Sequence, residues 1–339
     1  MTSGARPRAV ALLSGGLDSA LALWLVRDQG WEVVAFHVRT PFAGEYPGEP
    51  RAVKLAATWG VPCECEDAGP AYLAMLKRPR FGRGAAFNPC IDCHIYMLRR
   101  AAAVMVAHGA ALVVTGEVLG QRPMSQHGRA LALVEREAGL EGRLLRPLSA
   151  RLLPETDAER RGWLDREKLL ALEGRSRKVQ LDLARARGVE GFSSPAGGCL
   201  LTDRNFGARL ADAFAHGEDA DVDVLRWGRH FRLPSGAKAI VGRREAENER
   251  LGAALAGDAV AFQITTAGSP LTLLLHGGRA DWPVAAALTL RYSDIRDRPT
   301  AEVTATTATG EKASVTARSE DAAAAPAWFI TAERAGKNA

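Results

Sequence analysis

The chain opens on a short apolar run, residues 9–13, set off by polar neighbours. A second apolar stretch, residues 20–27, is built of helix formers. A continuous apolar run predicts a strand buried on both faces, and the stretch after it predicts a helix. The pattern then repeats. Residues 31–38 are rich in β-branched and aromatic side chains and predict a second strand, residues 51–59 a helix stopped by Gly60, and residues 61–66 a short third strand. A helix is expected from the Cys90 region through Met105, and residues 111–114 predict a fourth strand ending in Thr115-Gly116-Glu117. Residues 121–127 are polar, a helix follows to Glu137, and residues 144–148 predict a fifth strand. Residues 160–172 read as helical, and a further amphipathic helix is expected to run to about Arg187. Strands alternating with helices predict an α/β fold, a doubly wound parallel sheet whose ligand lies beyond the carboxyl ends of the strands.

From about Asp219 the pattern changes. An acidic stretch, 216–223, predicts a linker. The runs 227–233 and 237–243, a helix over 245–255, strand-like runs over 259–266 and 271–276 and a hairpin over 299–317 predict a smaller C-terminal α+β domain. The expected organisation is a nucleotide-binding domain over 1–150, an extension over 151–216 that carries Cys199, the α+β domain over 220–318 and an alanine-rich tail over 319–339.

Composition narrows the class. The chain has 339 residues, 47% hydrophobic and 24% charged, as in a globular protein of two or three domains. No apolar run reaches the roughly 18 residues that span a bilayer, so no membrane partner is expected and a cytoplasmic location is. The formal net charge of +5 leans mildly toward a polyanionic partner. The five cysteines fit catalytic or metal-binding thiols better than a disulfide framework.

The first candidate chemistry is Ser14-Gly15-Gly16-Leu17-Asp18-Ser19, placed between the first strand and its helix. Two glycines let the backbone approach a ligand closely, and the helix amino end favours an anion. Asp18 would repel a bare phosphate, which suggests a Mg²⁺ ion between them. The Lys of a Walker-type P-loop is absent. The second is Asn88-Pro89-Cys90-Ile91-Asp92-Cys93-His94, a CxxC where a helix begins; the helix dipole there favours thiolate. The third is Pro195-Ala196-Gly197-Gly198-Cys199, a turn that would present a thiol. Cys63 and Cys65, spaced C-x-C on a strand, are expected on opposite faces and so as poor co-ligands. Basic residues near aromatics (Lys77, Arg78, Arg80 and Arg83 with Phe81 and Phe87) and the runs 174–178, 228–232 and 242–244 could meet RNA phosphates or could simply be solvated. Glu117 is a candidate contact to Mg²⁺ or substrate, or a surface acid.

The loop at Ser14 resembles the S-G-G-x-D-S loop of the ATP pyrophosphatase (PP-loop, adenine nucleotide alpha hydrolase) superfamily. With the N-P-C-x-x-C motif and the later Gly-Gly-Cys, residues 9–205 look like the tRNA thiouridylases, and the C-terminal region resembles a small RNA-binding module. The resemblance implies an ATP-dependent tRNA sulfurtransferase. Ser14, Gly15, Gly16 and Ser19 would hold the phosphates of ATP and Asp18 the Mg²⁺ while a uridine carbonyl oxygen is adenylated. Sulfur would then replace AMP. It would come from a persulfide on Cys199, resolved by Cys90 or Cys93, or from sulfide on a [4Fe–4S] cluster held by Cys90, Cys93 and Cys199, and the three thiols favour the cluster. Partners would be tRNA and a sulfur donor protein or sulfide. Zinc on the same cysteines, a PP-loop ligase acting on a small molecule and an ATP-sensing RNA-binding protein are the competing readings; the modified base and the oligomeric state stay open.

Overall fold

The computed structural model describes residues 7–43, 48–192, 198–219 and 222–335. The chain divides into two units, Met1–Thr202 and Asp203–Ala339. The first contains, in order, β1 (Arg8–Leu12), α1 (Leu17–Arg27), β2 (Glu32–Arg39), α2 (Arg51–Thr58), β3 (Cys63–Asp67), α3 (Pro70–Lys77), α4 (Cys90–Ala107), β4 (Leu112–Val114), α5 (Gly128–Glu137), β5 (Leu144–Leu145), α6 (Asp157–Arg160) and α7 (Lys178–Ala186). Its five strands pair in parallel in the order β3-β2-β1-β4-β5.

The reason lies in β1. Ala9, Val10 and Ala11 are all buried, so the strand must be covered on both faces. Ala9 and Ala11 pack with Leu21 and Val26 of α1 and Ala52 and Ala56 of α2. Val10 turns to the other side, with Phe36, Val113 and the α4 residues Ile95 and Leu98. Because β1 pairs with β2 on one side and β4 on the other, the winding reverses there. That is the place where a doubly wound sheet opens a ligand crevice. The loops after β1 and β4 leave the sheet side by side at that point.

Two expectations for this unit are corrected. Residues 160–172 are not one helix. Thr156 and Glu159 form a capping box that starts the short α6 earlier. Gly162, with φ +66, ends it. The chain then runs beside residues 147–150, where Leu170 and Leu172 amides donate to Pro147 and Leu148 carbonyls at 2.9 and 2.8 Å. Cys63 and Cys65 pair with Ala35 and His37 of β2; two residues apart on a strand, they share one face. Burial and the neighbouring Cys65 and Glu64 push the Cys63 thiol up to about 11. The turn expected before Cys199 falls, at 195–197, outside the described residues. The sequence pattern also left α3 unmarked.

The second unit holds α8 (Arg204–Ala215), β6 (Arg229–Arg232), β7 (Lys238–Val241), α9 (Glu245–Ala253), β8 (Val260–Gln263), β9 (Thr272–Leu275), α10 (Trp282–Arg291), β10 (Thr300–Thr307), β11 (Lys312–Arg318), α11 (Ala325–Trp328) and α12 (Ala332–Ala335). Its antiparallel sheet runs β11-β10-β8-β9-β7-β6. The α10 helix, buried from Ala285 to Leu288, shares a core with Phe231, Phe262, Val303 and Ala305. Arg232, an expected phosphate contact, is instead part of an internal ion cluster. It bonds both oxygens of Asp212 and of Glu218, while fully buried Lys238 reaches Glu218 at 3.0 Å.

Candidate active site

The Ser14–Ser19 loop is held by its own side chains. Ser19 Oγ donates to the Gly16 carbonyl at 2.9 Å and accepts from the Ser14 amide at 3.2 Å, and the two serine hydroxyls lie 3.0 Å apart. Gly15 takes φ +78, where a side chain is strained. A Cβ there would also press on Arg51 and Ala52 at 3.1 Å, so α2 begins against the loop. Gly16 caps α1 without a side-chain bond, which leaves the first-turn amides open to a ligand. Gln121 donates to Asp18 Oδ2 at 3.2 Å, while Asp18 Oδ1 is buried with no partner. A buried carboxylate oxygen left bare is costly unless a cation meets it. That oxygen is the observation that fits Mg²⁺ at Asp18.

Gly116 ties this loop to the thiols. A Cβ on Gly116 would fall far inside contact with the Ser19 nitrogen and the Asp18 carbonyl carbon. Gly116→Ala is therefore expected to push the β4 loop off α1 and to lower stability by about 1–3 kcal/mol; a thermal melt reads it. The next residue, Glu117, is almost fully buried. It accepts from His94 Nδ1 at 2.9 Å, from Thr115 Oγ1 at 3.1 Å and from Arg146 Nε at 3.0 Å. Burial alone would raise its carboxyl, but the Arg146 guanidinium and His94 hold it down at about 2. Both oxygens are thus taken by protein groups, so Glu117 positions α4 and β5 rather than offering a free ligand.

Asp92, in the first turn of α4, accepts the Arg80 and Phe81 amides at 2.8 and 3.0 Å. This orders the basic loop: Arg80 pairs with Glu137, and Arg83 lies 4.2 Å over the Phe87 ring and donates to the Leu76 carbonyl. Asn88 Nδ2 donates to Cys90 Sγ at 3.3 Å. Tyr72 and Cys93 share a hydrogen bond at 3.3 Å. Burial pushes the Cys93 thiol up to about 12, and the charges of Cys199 and Cys90 act in the same direction against the Tyr72 bond. The charges of Cys90 and Cys199 thus reach Cys93, and those of all three thiols help to raise the Tyr72 hydroxyl, which bonds Cys93. Leu200, next to exposed Cys199, donates to the Phe42 carbonyl at 3.0 Å, and the Phe42 ring packs 6.1 Å from Tyr72. Among the described residues no three His, Cys, Asp or Glu side chains stand close enough to hold one metal ion. The donor set of three thiols suits a cluster, in which each cysteine binds its own iron, better than a single tetrahedral zinc.

Sequence reasoning passed over two contributors. Gln121 follows a strand end, the usual place for ligand-facing residues, and that position was its signal. Tyr72 carried none, since α3 was not expected. The basic excess falls in the first unit, which has 27 Lys and Arg against 21 Asp and Glu, while the second is near neutral. Among the described residues no helix is long and apolar enough to cross a membrane.

Comparison with known proteins agrees with this division. Residues 4–150 match the family described as thiamine biosynthesis protein (ThiI), and residues 228–329 match the NFACT protein RNA binding domain. A probable tRNA sulfurtransferase from Methanothermobacter thermautotrophicus is 34% identical over 125 residues, 36% of this chain and 32% of that protein. The tRNA-specific 2-thiouridylase MnmA of a Thermotoga species is 32% identical over 101 residues, 25% of this chain and 28% of its own. The chain thus spans about a third of the length of the curated relatives it matches. A 4-thiouridine synthetase solved with RNA and ATP is similar at 21% identity over 52% of this chain and 50% of that one, with a TM-score of 0.34, too partial a likeness to carry an argument.

Proposed function

We propose that this chain, a PP-loop domain of the tRNA thiouridylase kind followed by an RNA-binding module, is an ATP-dependent tRNA sulfurtransferase. The observation that carries the reading is the juxtaposition built on three residues. Gly116 sits against the Ser14–Ser19 loop, and its neighbour Glu117 holds His94 beside the CxxC. The loop read as the nucleotide site and the thiols would thus share one wall, which supports two-step chemistry on a single base.

In the first step the loop amides and Ser14, Gly15, Gly16 and Ser19 would hold the phosphates, with Asp18 on Mg²⁺. A uridine carbonyl oxygen attacks the α-phosphate and pyrophosphate leaves. In the second, sulfide attacks the activated carbon and AMP departs with the oxygen. Cys90, Cys93 and Cys199 would hold a [4Fe–4S] cluster, which when bound supplies an open iron for sulfide. A thiol as reluctant to ionise as Cys93 is a poor nucleophile, but a metal takes its proton outright. The exposure of Cys199 favours a second reading, a persulfide carried there. Attack by a second cysteine on the Cys199 sulfur would then leave a disulfide that an outside thiol must reduce. tRNA is the partner on both readings, with phosphate contacts drawn from the basic first unit as well as the RNA-binding module.

Asp18→Asn keeps the shape of the loop and removes its charge. Adenylation, followed as tRNA-dependent release of pyrophosphate, is expected to fall about a hundredfold or more, with tRNA affinity unchanged. Unaltered pyrophosphate release would sink the loop's assignment.

A further inference from the structure

Helix α7 lies parallel to α1, and its amino end has no described role in the reaction. At the carboxyl ends, Arg187 bonds Asp28 through Nε and Nη2 at 3.0 and 2.9 Å. At the other end, Glu173 bridges to Leu119, and the Gly174 amide donates to the Leu119 carbonyl at 2.7 Å. A Cβ on Gly120 would lie 3.3 Å from the Gly174 nitrogen. The residue after Gly120 is Gln121, which bonds Asp18. The amino ends of α1 and α7 are thereby brought to the same side of the phosphate loop, where α2 also begins against Gly15.

Three features there are unspent. The α7 cap residue, Arg177, makes no side-chain cap bond, so the first-turn amides stay open. Its own Nε is buried without a partner. Gln180, in that first turn, is 1% exposed, and both its amide atoms lack partners. Helical side chains lean toward the amino end, so this buried carboxamide leans toward the amino end of α7. Open amide donors, the partnerless Nε of Arg177 and the partnerless carboxamide of Gln180 together suit a polyanion.

We propose that the amino end of α7, through Arg177 and Gln180, forms a second wall of the nucleotide site that grips the β- and γ-phosphates of ATP and steadies pyrophosphate as it leaves. This rests on the reading of Ser14–Ser19 as a nucleotide loop. Phosphate is also the chemistry of an RNA backbone, and the test separates the two sources.

Calorimetric titration of the full chain with pyrophosphate, ATP and AMP, and a filter assay with bulk tRNA, would compare wild type with Arg177→Gln, Gln180→Leu and, as a control, the exposed Arg175→Gln. Arg177→Gln is expected to weaken pyrophosphate and ATP about tenfold to a hundredfold and to leave AMP within about twofold. Gln180→Leu removes an unmatched buried amide, so its melting temperature should hold or rise while pyrophosphate binding falls. Arg175→Gln should bind pyrophosphate and ATP as wild type. Unchanged pyrophosphate affinity in folded Arg177→Gln and Gln180→Leu, or a loss confined to tRNA, overturns the inference alone. A wild-type chain that binds neither ATP nor pyrophosphate overturns the loop reading with it.

Discussion

Cys199→Ala is expected to lower sulfur incorporation into tRNA about a thousandfold or more while ATP-dependent release of pyrophosphate continues. Both sulfur routes pass through this residue, since it carries the persulfide on one and holds the cluster on the other. The nucleotide loop does not need it: Ser14, Ser19 and Asp18 are bonded among themselves and to Gln121. The paired change Cys93→Ala separates the routes. Half-buried Cys93, held near 12 by its surroundings, is a ligand on the cluster reading, so its loss should remove iron and activity together. On the persulfide reading with Cys90 resolving, Cys93→Ala should retain substantial turnover in excess dithiothreitol. Iron and acid-labile sulfide, measured on anaerobically purified protein, decide between them; about four irons per chain in wild type and none in Cys199→Ala is the expected pair of values.

The second large effect is on stability. Glu117→Ala takes from the Arg146 guanidinium, whose side chain is 4% exposed, its most buried carboxylate and leaves it the partly buried Glu135 at 2.8 Å. Because one carboxylate remains, the loss is about 2–3 kcal/mol, that of a buried charged hydrogen bond and less than that of an unpaired buried charge. For a unit of this size that is a fall of roughly 5–10 °C in its melting temperature. Acid should reach the same interaction. The Glu117 carboxyl sits at about 2 when folded, against an ordinary value of 4.5. A carboxyl lowered by folding stabilises above its unfolded pKa, and that contribution is lost as pH falls through the folded one. The wild type should therefore lose on the order of 3 kcal/mol from this group between about pH 5 and pH 2. Glu117→Ala should show a shallower acid limb over that window. Identical acid limbs in the two proteins would contradict the pairing seen here.

Much of the frame could be read from the chain. The continuous apolar runs of β1, β2 and β4 had to be strands covered on both faces, and the Ser14–Ser19 motif could sit only where strand meets helix. The CxxC does open α4. What escaped has physical causes. Helix α3 buries only Tyr72 and Leu76, so its eight residues show no clear stripe. Helix α10 is apolar nearly all round because it is clamped between the sheet and the chain's end, and such a helix carries no 3.6-residue signal. The run 160–172 has helical composition, but Gly162 and the backbone bonds to residues 147–148 override it. The pleat decides the faces of Cys63 and Cys65, since parity two places both on one side. Arg232 looked like a surface cation because its partners, Asp212 and Glu218, lie 20 and 14 residues away. The Glu117 network joins residues 2, 23 and 29 positions apart, a pattern that only the fold assembles.

The most direct measurement is to incubate the purified chain anaerobically with bulk tRNA, ATP, Mg²⁺ and sulfide, digest the tRNA to nucleosides and weigh them. The account predicts a uridine in which one oxygen is replaced by sulfur, formed only with ATP, with pyrophosphate and AMP released in equal amount and nothing formed by Asp18→Asn. A chain that consumes ATP yet leaves every tRNA nucleoside unchanged in mass, with its iron content and thiols verified intact, would contradict it.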